Sequence, residues 1–435
     1  MEVKIIGAGL AGCEAAYYLA RHGVKVKLYE MRPKKMTPAH KTEKFGELVC
    51  SNSLRSDMID VASGALKEEM RLFNSLVLEA ASKTKVEAGS ALAVSREDFS
   101  QYITDVIKSH ENIEVIYDEV TSFSCDEYTI VASGPLTSDP LCEFIKKQFG
   151  MEDFYFYDAQ APIIDIESVD MNICYLKSRY DKGEAAYINC PMNKEEFERF
   201  YEALITARSA ELHEFDKDLK VFEGCMPVEV MAKRGPQTLL FGPLKPKGLG
   251  RTIDDHPYAV VQLRQDNAEK TLYNLVGFQT HLAFSEQKRV FSMIPGLENV
   301  NFVKYGRMHK NTYINSPKIL KSTYQTINYP KVFFAGQITG VEGYVESSAS
   351  GIYAAINMLR LLKGEELVTF PRETIMGSMA NYISVYHDEF VPMNANYGIV
   401  PELDFHCKKK ERKEFYGNRA VNKMKEVISL WKILT

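Results

Sequence analysis

The stretch Val3–Gly12 reads VKIIGAGLAG. An apolar strand runs straight into Gly7, Gly9 and Gly12, and the residues after it place Leu10, Cys13, Ala16, Tyr17 and Ala20 on one helical face before a stop at Gly23. The next segment, VKVKLYE at 24–30, alternates apolar and polar residues and closes on Glu30. Strand, glycine turn, helix and second strand make a βαβ unit whose parts suit a dinucleotide. The glycines allow a tight turn and a close approach to a pyrophosphate, and the helix start attracts its charge. Glu30, 21 positions after Gly9, can accept from a ribose hydroxyl. Gly7, Ala8, Gly9, Leu10, Ala11, Gly12 and Glu30 are therefore expected to hold the nucleotide.

Two later stretches repeat the strand-to-glycine pattern, TIVASGP at 129–135 and FFAGQITGVEGY at 333–344. A simple dehydrogenase has no use for them. They resemble the second and third nucleotide-contacting stretches of two-dinucleotide-type flavoproteins, so FAD is expected in preference to NAD, with Gly134, Gly336 and Gln337 among its contacts. Between them, from about 151 to 324, the texture changes to mixed strands, an amphipathic helix at 193–207 and the Gly/Pro-rich LFGPLKPKGLGRTIDDHP. The expected fold class is α/β. A discontinuous Rossmann-type FAD-binding domain (1–150 and 325–365) carries an inserted α+β domain (151–324) that faces substrate, and a C-terminal helical segment (366–435) packs on the FAD domain. One helix is expected over 63–83 and another from Ser95, while 32–57 reads as a long functional loop.

At 435 residues, 45% hydrophobic and 26% charged, the chain has the composition of a globular protein with more than one core. No apolar run approaches the roughly 20 residues of a membrane span, and no leader-like segment opens the sequence, so a cytoplasmic protein is expected. The eight cysteines include no C-x-x-C pair and no metal-ligand spacing. A net charge of −5 leaves nucleic-acid binding to local patches. Such patches occur at Lys34, Lys35, His40, Lys41 and Lys44, at Lys233–Arg234, at Lys245, Lys247 and Arg251, at Arg307, His309 and Lys310, and at Lys408–Lys410 with Arg412 and Lys413. Any one is ordinary solvated surface; several on one face would form an RNA-binding funnel.

Taken together, GELVCSNSLRSD (46–57), YINCPM (187–192), FEGCMPVEVMAKRG (222–235), VGFQTHL (276–282), MHKNTYINSPK (308–318) and FFAGQITGVEGYVES (333–347) resemble the folate- and FAD-dependent tRNA (uracil-5-)-methyltransferases, the TrmFO or Gid family, over nearly the whole chain. The resemblance implies methylenetetrahydrofolate as carbon donor, NADPH or NADH as reductant, and C5 of a tRNA T-loop uridine as target, with no obligatory protein partner. A branch of the same family methylates ribosomal RNA, and VEAGSALAVS (86–95) and KPKGLGRTIDDHP (245–257) depart from the usual pattern. By the same resemblance Cys50 and Cys225 are the catalytic thiols, Tyr344 stacks on the flavin and His281 faces the pterin.

The chemistry asks for such groups. Uracil C5 becomes nucleophilic once a thiolate adds to C6; the C5 proton must then leave and the new methylene be reduced. Cys225 is expected as nucleophile and Cys50 as base, with the reverse assignment open. Ser51-Asn52-Ser53 reads as a helix N-cap beside Cys50. A flavin oxidoreductase acting on a small metabolite and a flavin-binding accessory protein are the competing readings.

Overall fold

The computed structural model describes residues 2–151, 155–181, 184–210, 226–252, 254–306, 308–388 and 390–433. Glu2–Ile6, Lys25–Glu30, Ile113–Tyr117, Thr129–Val131 and Val332–Phe334 form a five-stranded sheet. Its order across the sheet is Val332–Phe334, Thr129–Val131, Glu2–Ile6, Lys25–Glu30, Ile113–Tyr117, and every pairing is parallel. Parallel sheets need cover on both faces, and Thr129–Val131 and Val332–Phe334 are buried along their whole length, while Lys25–Glu30 alternates buried and more open positions. The helices Leu10–Arg21 and Tyr344–Leu362 pack against one another. The tight turn before the first helix and the close approach of the two helices each require a glycine. A Cβ on Gly12 would stand 1.8 Å from the Gly7 carbonyl oxygen, and one on Gly351 would stand 2.2 Å from that of Ala11.

A second sheet has the order Tyr175–Leu176, Tyr187–Met192, Ala259–Gln265, Leu272–Leu275, Ile163–Asp165, Phe302–Lys304, and is antiparallel throughout. Helices Lys194–Ile205, Val228–Lys233 and Phe284–Phe291 cover it, and its core runs from Ile164 to Val300. The core of the parallel sheet takes in residues up to Ile145 and resumes at Tyr313. Among the described residues no helix is long and apolar enough to cross a membrane.

The single helix expected over 63–83 is two, Ala62–Arg71 and Leu76–Lys83. Asn74 takes a φ of 53° between them, and Ser75 caps the second helix by accepting from the Leu78 N–H at 3.2 Å. Glu14, fully buried on the first helix, accepts from the Leu76 and Val77 amides at 3.1 and 3.0 Å, so the restart is fixed from another element. Ser95 does precede the helix Arg96–Ser109, without a side-chain cap bond. The C-terminal segment is helical in part only. Ile375–Tyr382 and Arg412–Trp431 are separated by an extended strap in which Met393 bridges Val341 in parallel and Tyr397 donates to the Ile59 carbonyl at 2.7 Å.

Glu69 joins the helix Ala62–Arg71 to the helix Ile375–Tyr382. Its buried carboxylate accepts from the Ile375 and Met376 amides at 2.7 and 2.9 Å, capping that helix from Ala62–Arg71, and burial raises its pKa to about 8. Glu69→Ala leaves two buried amides without an acceptor and is expected to cost about 3 kcal/mol of unfolding free energy. Urea unfolding measures it; a loss within experimental error would show that the cap is dispensable.

Candidate active site

Every strand of the parallel sheet delivers residues to one cleft at its carboxyl edge. Tyr29–Arg32 lie at the end of the second strand, Asp118–Val120 follow the third, Ser133–Ser138 the fourth and Gly336–Gln337 the fifth, with Gly7, Gly9, Leu10 and Ala11 in the middle. The cleft encloses about 1020 Å³, solvent at its mouth included. Such an edge is where doubly wound sheets bind ligands.

Two helices start there. Gly9 precedes Leu10–Arg21 and Gly343 precedes Tyr344–Leu362, and neither supplies a side-chain cap. The first helix also has no acid in its first turn. Its orphan amides and positive end are thus left for an anion, and a pyrophosphate fits that position. At one end stands Glu30, gripped by Arg32 through Nε at 3.0 Å and Nη2 at 3.2 Å and accepting from the Ala8 amide at 3.2 Å. Arg32 also reaches Glu47 at 3.2 Å. Gly336, Gln337, Tyr344 and Ser347 line the other end. An elongated dinucleotide such as FAD would fit this span, with the Leu10 helix start and the cleft-lining residues available to hold it. Of the residues expected from sequence, Gly7, Gly9, Leu10, Ala11, Glu30, Gly134, Gly336, Gln337 and Tyr344 line the cleft, whereas Ala8, Gly12 and His281 are not among its lining residues.

Cys50 enters at the Tyr344 end. The Cys50 and Ser51 amides both donate to the Tyr344 hydroxyl, at 2.7 and 3.2 Å. Arg96 donates through Nη1 to the Leu48 carbonyl at 2.7 Å and through Nη2 to that of Cys50 at 3.1 Å, while its Nε lies 3.0 and 2.9 Å from the two oxygens of buried Asp266. Lys304 Nζ is 3.5 Å from the Val49 carbonyl oxygen. Burial, helped by repulsion from Arg96, pulls this ammonium down to about 8. Arg264 donates to Ser51 Oγ at 2.6 Å and to Asn52 Oδ1 at 3.1 Å. Asn52, wholly buried, donates to the Val94 and Gln265 carbonyls.

The Ser51-Asn52-Ser53 run therefore caps no helix. Ser53–Ser56 is a strand paired with Ala91–Val94, and Ser51 and Asn52 spend their side chains bridging the two sheets' domains. Cys225 lies outside the described residues. Just after it in sequence, the Val228 amide donates to the Gln279 carbonyl at 2.7 Å, while Glu229 accepts from the His281 amide at 2.7 Å. Burial raises the Glu229 pKa. Arg96, Asp266, Arg264 and Lys304 carried no sequence cue, since an arginine and an aspartate 170 positions apart look like any surface charges. Among the described residues no cluster of three or more His, Cys, Asp or Glu side chains is built to hold a metal.

The profile of the glucose inhibited division protein A family matches residues 2–366. The chain belongs to that family. It is 60% identical over 426 residues to a protein of Acholeplasma laidlawii named methylenetetrahydrofolate–tRNA-(uracil-5-)-methyltransferase TrmFO, covering 98% of this chain and 99% of the relative. To the protein of the same name from Bacillus subtilis it is 58% identical over 428 residues, with 98% of each covered. Among solved structures, GidA of Aquifex aeolicus superimposes with a TM-score of 0.70 at 16% identity, over 98% of this chain and 73% of the other, a likeness of fold. The Rossmann-type, flavoprotein-like α/β architecture is thereby established, as the glycine pattern implied.

Gly12→Val tests the cradle. With a Cβ at that position already inside the Gly7 carbonyl, the turn cannot close and bound flavin is expected to be lost, read as the visible absorbance of the purified protein. A yellow Gly12→Val protein would contradict it.

Proposed function

We propose that this enzyme methylates C5 of a uridine in RNA, with the T-loop uridine of tRNA as target, methylenetetrahydrofolate as carbon donor, FAD as resident redox group and NADPH or NADH as reductant. The carrying observation is the meeting of the Cys50 segment and Tyr344 at one end of a dinucleotide-shaped cleft. The activity for which relatives near 60% identical over almost the whole chain are named supplies the substrate class.

The residues divide the work as follows. Leu10 and Ala11 seat the pyrophosphate at a helix start, and Glu30, held in place by Arg32, takes a ribose hydroxyl. Tyr344 packs its ring against the flavin, which when bound supplies hydride to the one-carbon unit. A thiolate, Cys225 in this assignment, adds to C6 and makes C5 nucleophilic; Cys50 takes the C5 proton afterwards. His281 serves the pterin from beside the Val228–Lys233 helix. The target base must leave its stack to reach this depth. Basic side chains guide the RNA through its phosphates, with Lys34 and Lys35 already paired to Asp118 and Glu119.

Purified enzyme given methylenetetrahydrofolate and NADPH is expected to release tritium from tRNA labelled at uracil C5, with tRNA T-arm transcripts preferred over ribosomal RNA fragments. Cys225→Ala and Cys50→Ala should each abolish release while flavin binding and reduction persist. No release from either RNA refutes the reading; preference for the ribosomal fragment moves the target; turnover by a thiol variant removes that thiol from the mechanism.

A further inference from the structure

The peptide units on either side of the Cys50 Cα share an unusual environment. In the unit joining Val49 to Cys50, the carbonyl faces Lys304 and the N–H donates to the Tyr344 hydroxyl. In the unit joining Cys50 to Ser51, the carbonyl accepts from Arg96 and the N–H donates to the same hydroxyl. A trans peptide is planar, with its N–H opposite its C=O, so a cation on the oxygen strengthens the donor at the other end. Two relays of cation, carbonyl and amide thus converge on one phenol oxygen. Having accepted twice, that oxygen keeps its own proton for a third partner, and the side chain lines the cleft. Burial holds the phenol above the usual tyrosine range, so it stays a donor.

We propose that the Tyr344 hydroxyl donates its hydrogen bond to the O4 carbonyl oxygen of the target pyrimidine and stabilises the charge that develops there. The proposal rests on the functional reading above. When a thiolate adds to C6, the S–C6 bond forms, the C5=C6 π pair moves between C5 and C4, and the C4=O4 π pair settles on O4; no proton leaves in this step. The negative charge of sulfur reappears on oxygen, where a polarised neutral donor is worth most. O4 is two bonds from C5, so a group that later removes the C5 proton and a donor to O4 must be neighbours. Cys50 and the hydroxyl tied to its own amide are such neighbours. This role of the hydroxyl is separate from any stacking by the ring.

Tyr344→Phe keeps the ring and removes the donor. Wild type and variant are compared on transcripts carrying uridine or 4-thiouridine at the target, because sulfur accepts hydrogen bonds poorly. The variant is expected to retain flavin and its KM for RNA, to lose about 100-fold in kcat on uridine, and to lose wild type's preference for uridine over 4-thiouridine. Unchanged kcat overturns the proposal. So does an equal loss on both transcripts accompanied by a changed rate of Cys50 alkylation by iodoacetamide, which would make the hydroxyl only a tie for the loop. If Tyr344→Phe fails to hold flavin, Lys304→Met removes one relay without touching the ring; a smaller loss of the same preference supports the proposal, and an intact preference overturns it. A wild-type enzyme inactive on both RNAs refutes the functional reading itself, a result distinct from an active wild type whose uridine preference survives Tyr344→Phe.

Discussion

The guanidinium of Arg96 is the interaction on which the candidate site depends. Residues 48–52 have no regular secondary structure, so no ladder of main-chain bonds fixes them. Arg96 spends its terminal nitrogens on the carbonyls of Leu48 and Cys50 and its Nε on Asp266, the residue that follows the antiparallel strand Ala259–Gln265. A buried ion pair is close to neutral for stability, yet removal of one partner costs about 3–5 kcal/mol. Its value here is positional. Asp266 and Arg264 carry the location of the antiparallel sheet into the Cys50 segment, and Tyr344 carries that of the helix Tyr344–Leu362, so the segment stands where the two meet.

The same economy shapes the nucleotide cleft. Five parallel strands end on one edge, two helices begin there on glycines without side-chain caps, and the acid at the far end is locked by an adjacent arginine. The resulting surface offers main-chain donors in the middle and oriented side chains at both ends. A long, polar, doubly charged ligand needs that distribution, and a small metabolite does not.

Much of this was legible in the sequence, for local reasons. The Gly7–Gly12 turn, Glu30 and the two later glycine stretches announce themselves because tight turns and close approaches restrict residue type over a few positions. The break at Leu72–Ser75 was hidden, since its cause, Glu14, lies on another helix. Ser51-Asn52-Ser53 was misread as a cap because a short polar side chain serves equally well at a helix start or in a bridge between domains, and only tertiary contact decides. The cations around Cys50 were invisible for the same reason: their meaning comes from convergence in space.

At the centre of the account is a thiol-bearing segment placed beside a flavin so that a folate-borne carbon can be fixed on uracil. The most direct measurement is the mass of the product nucleoside after incubation of the enzyme and tRNA with methylenetetrahydrofolate labelled with carbon-13 at the transferred carbon. The account predicts 5-methyluridine with the label in its methyl group. Unlabelled 5-methyluridine, or methylation that appears only when S-adenosylmethionine is supplied, would contradict it.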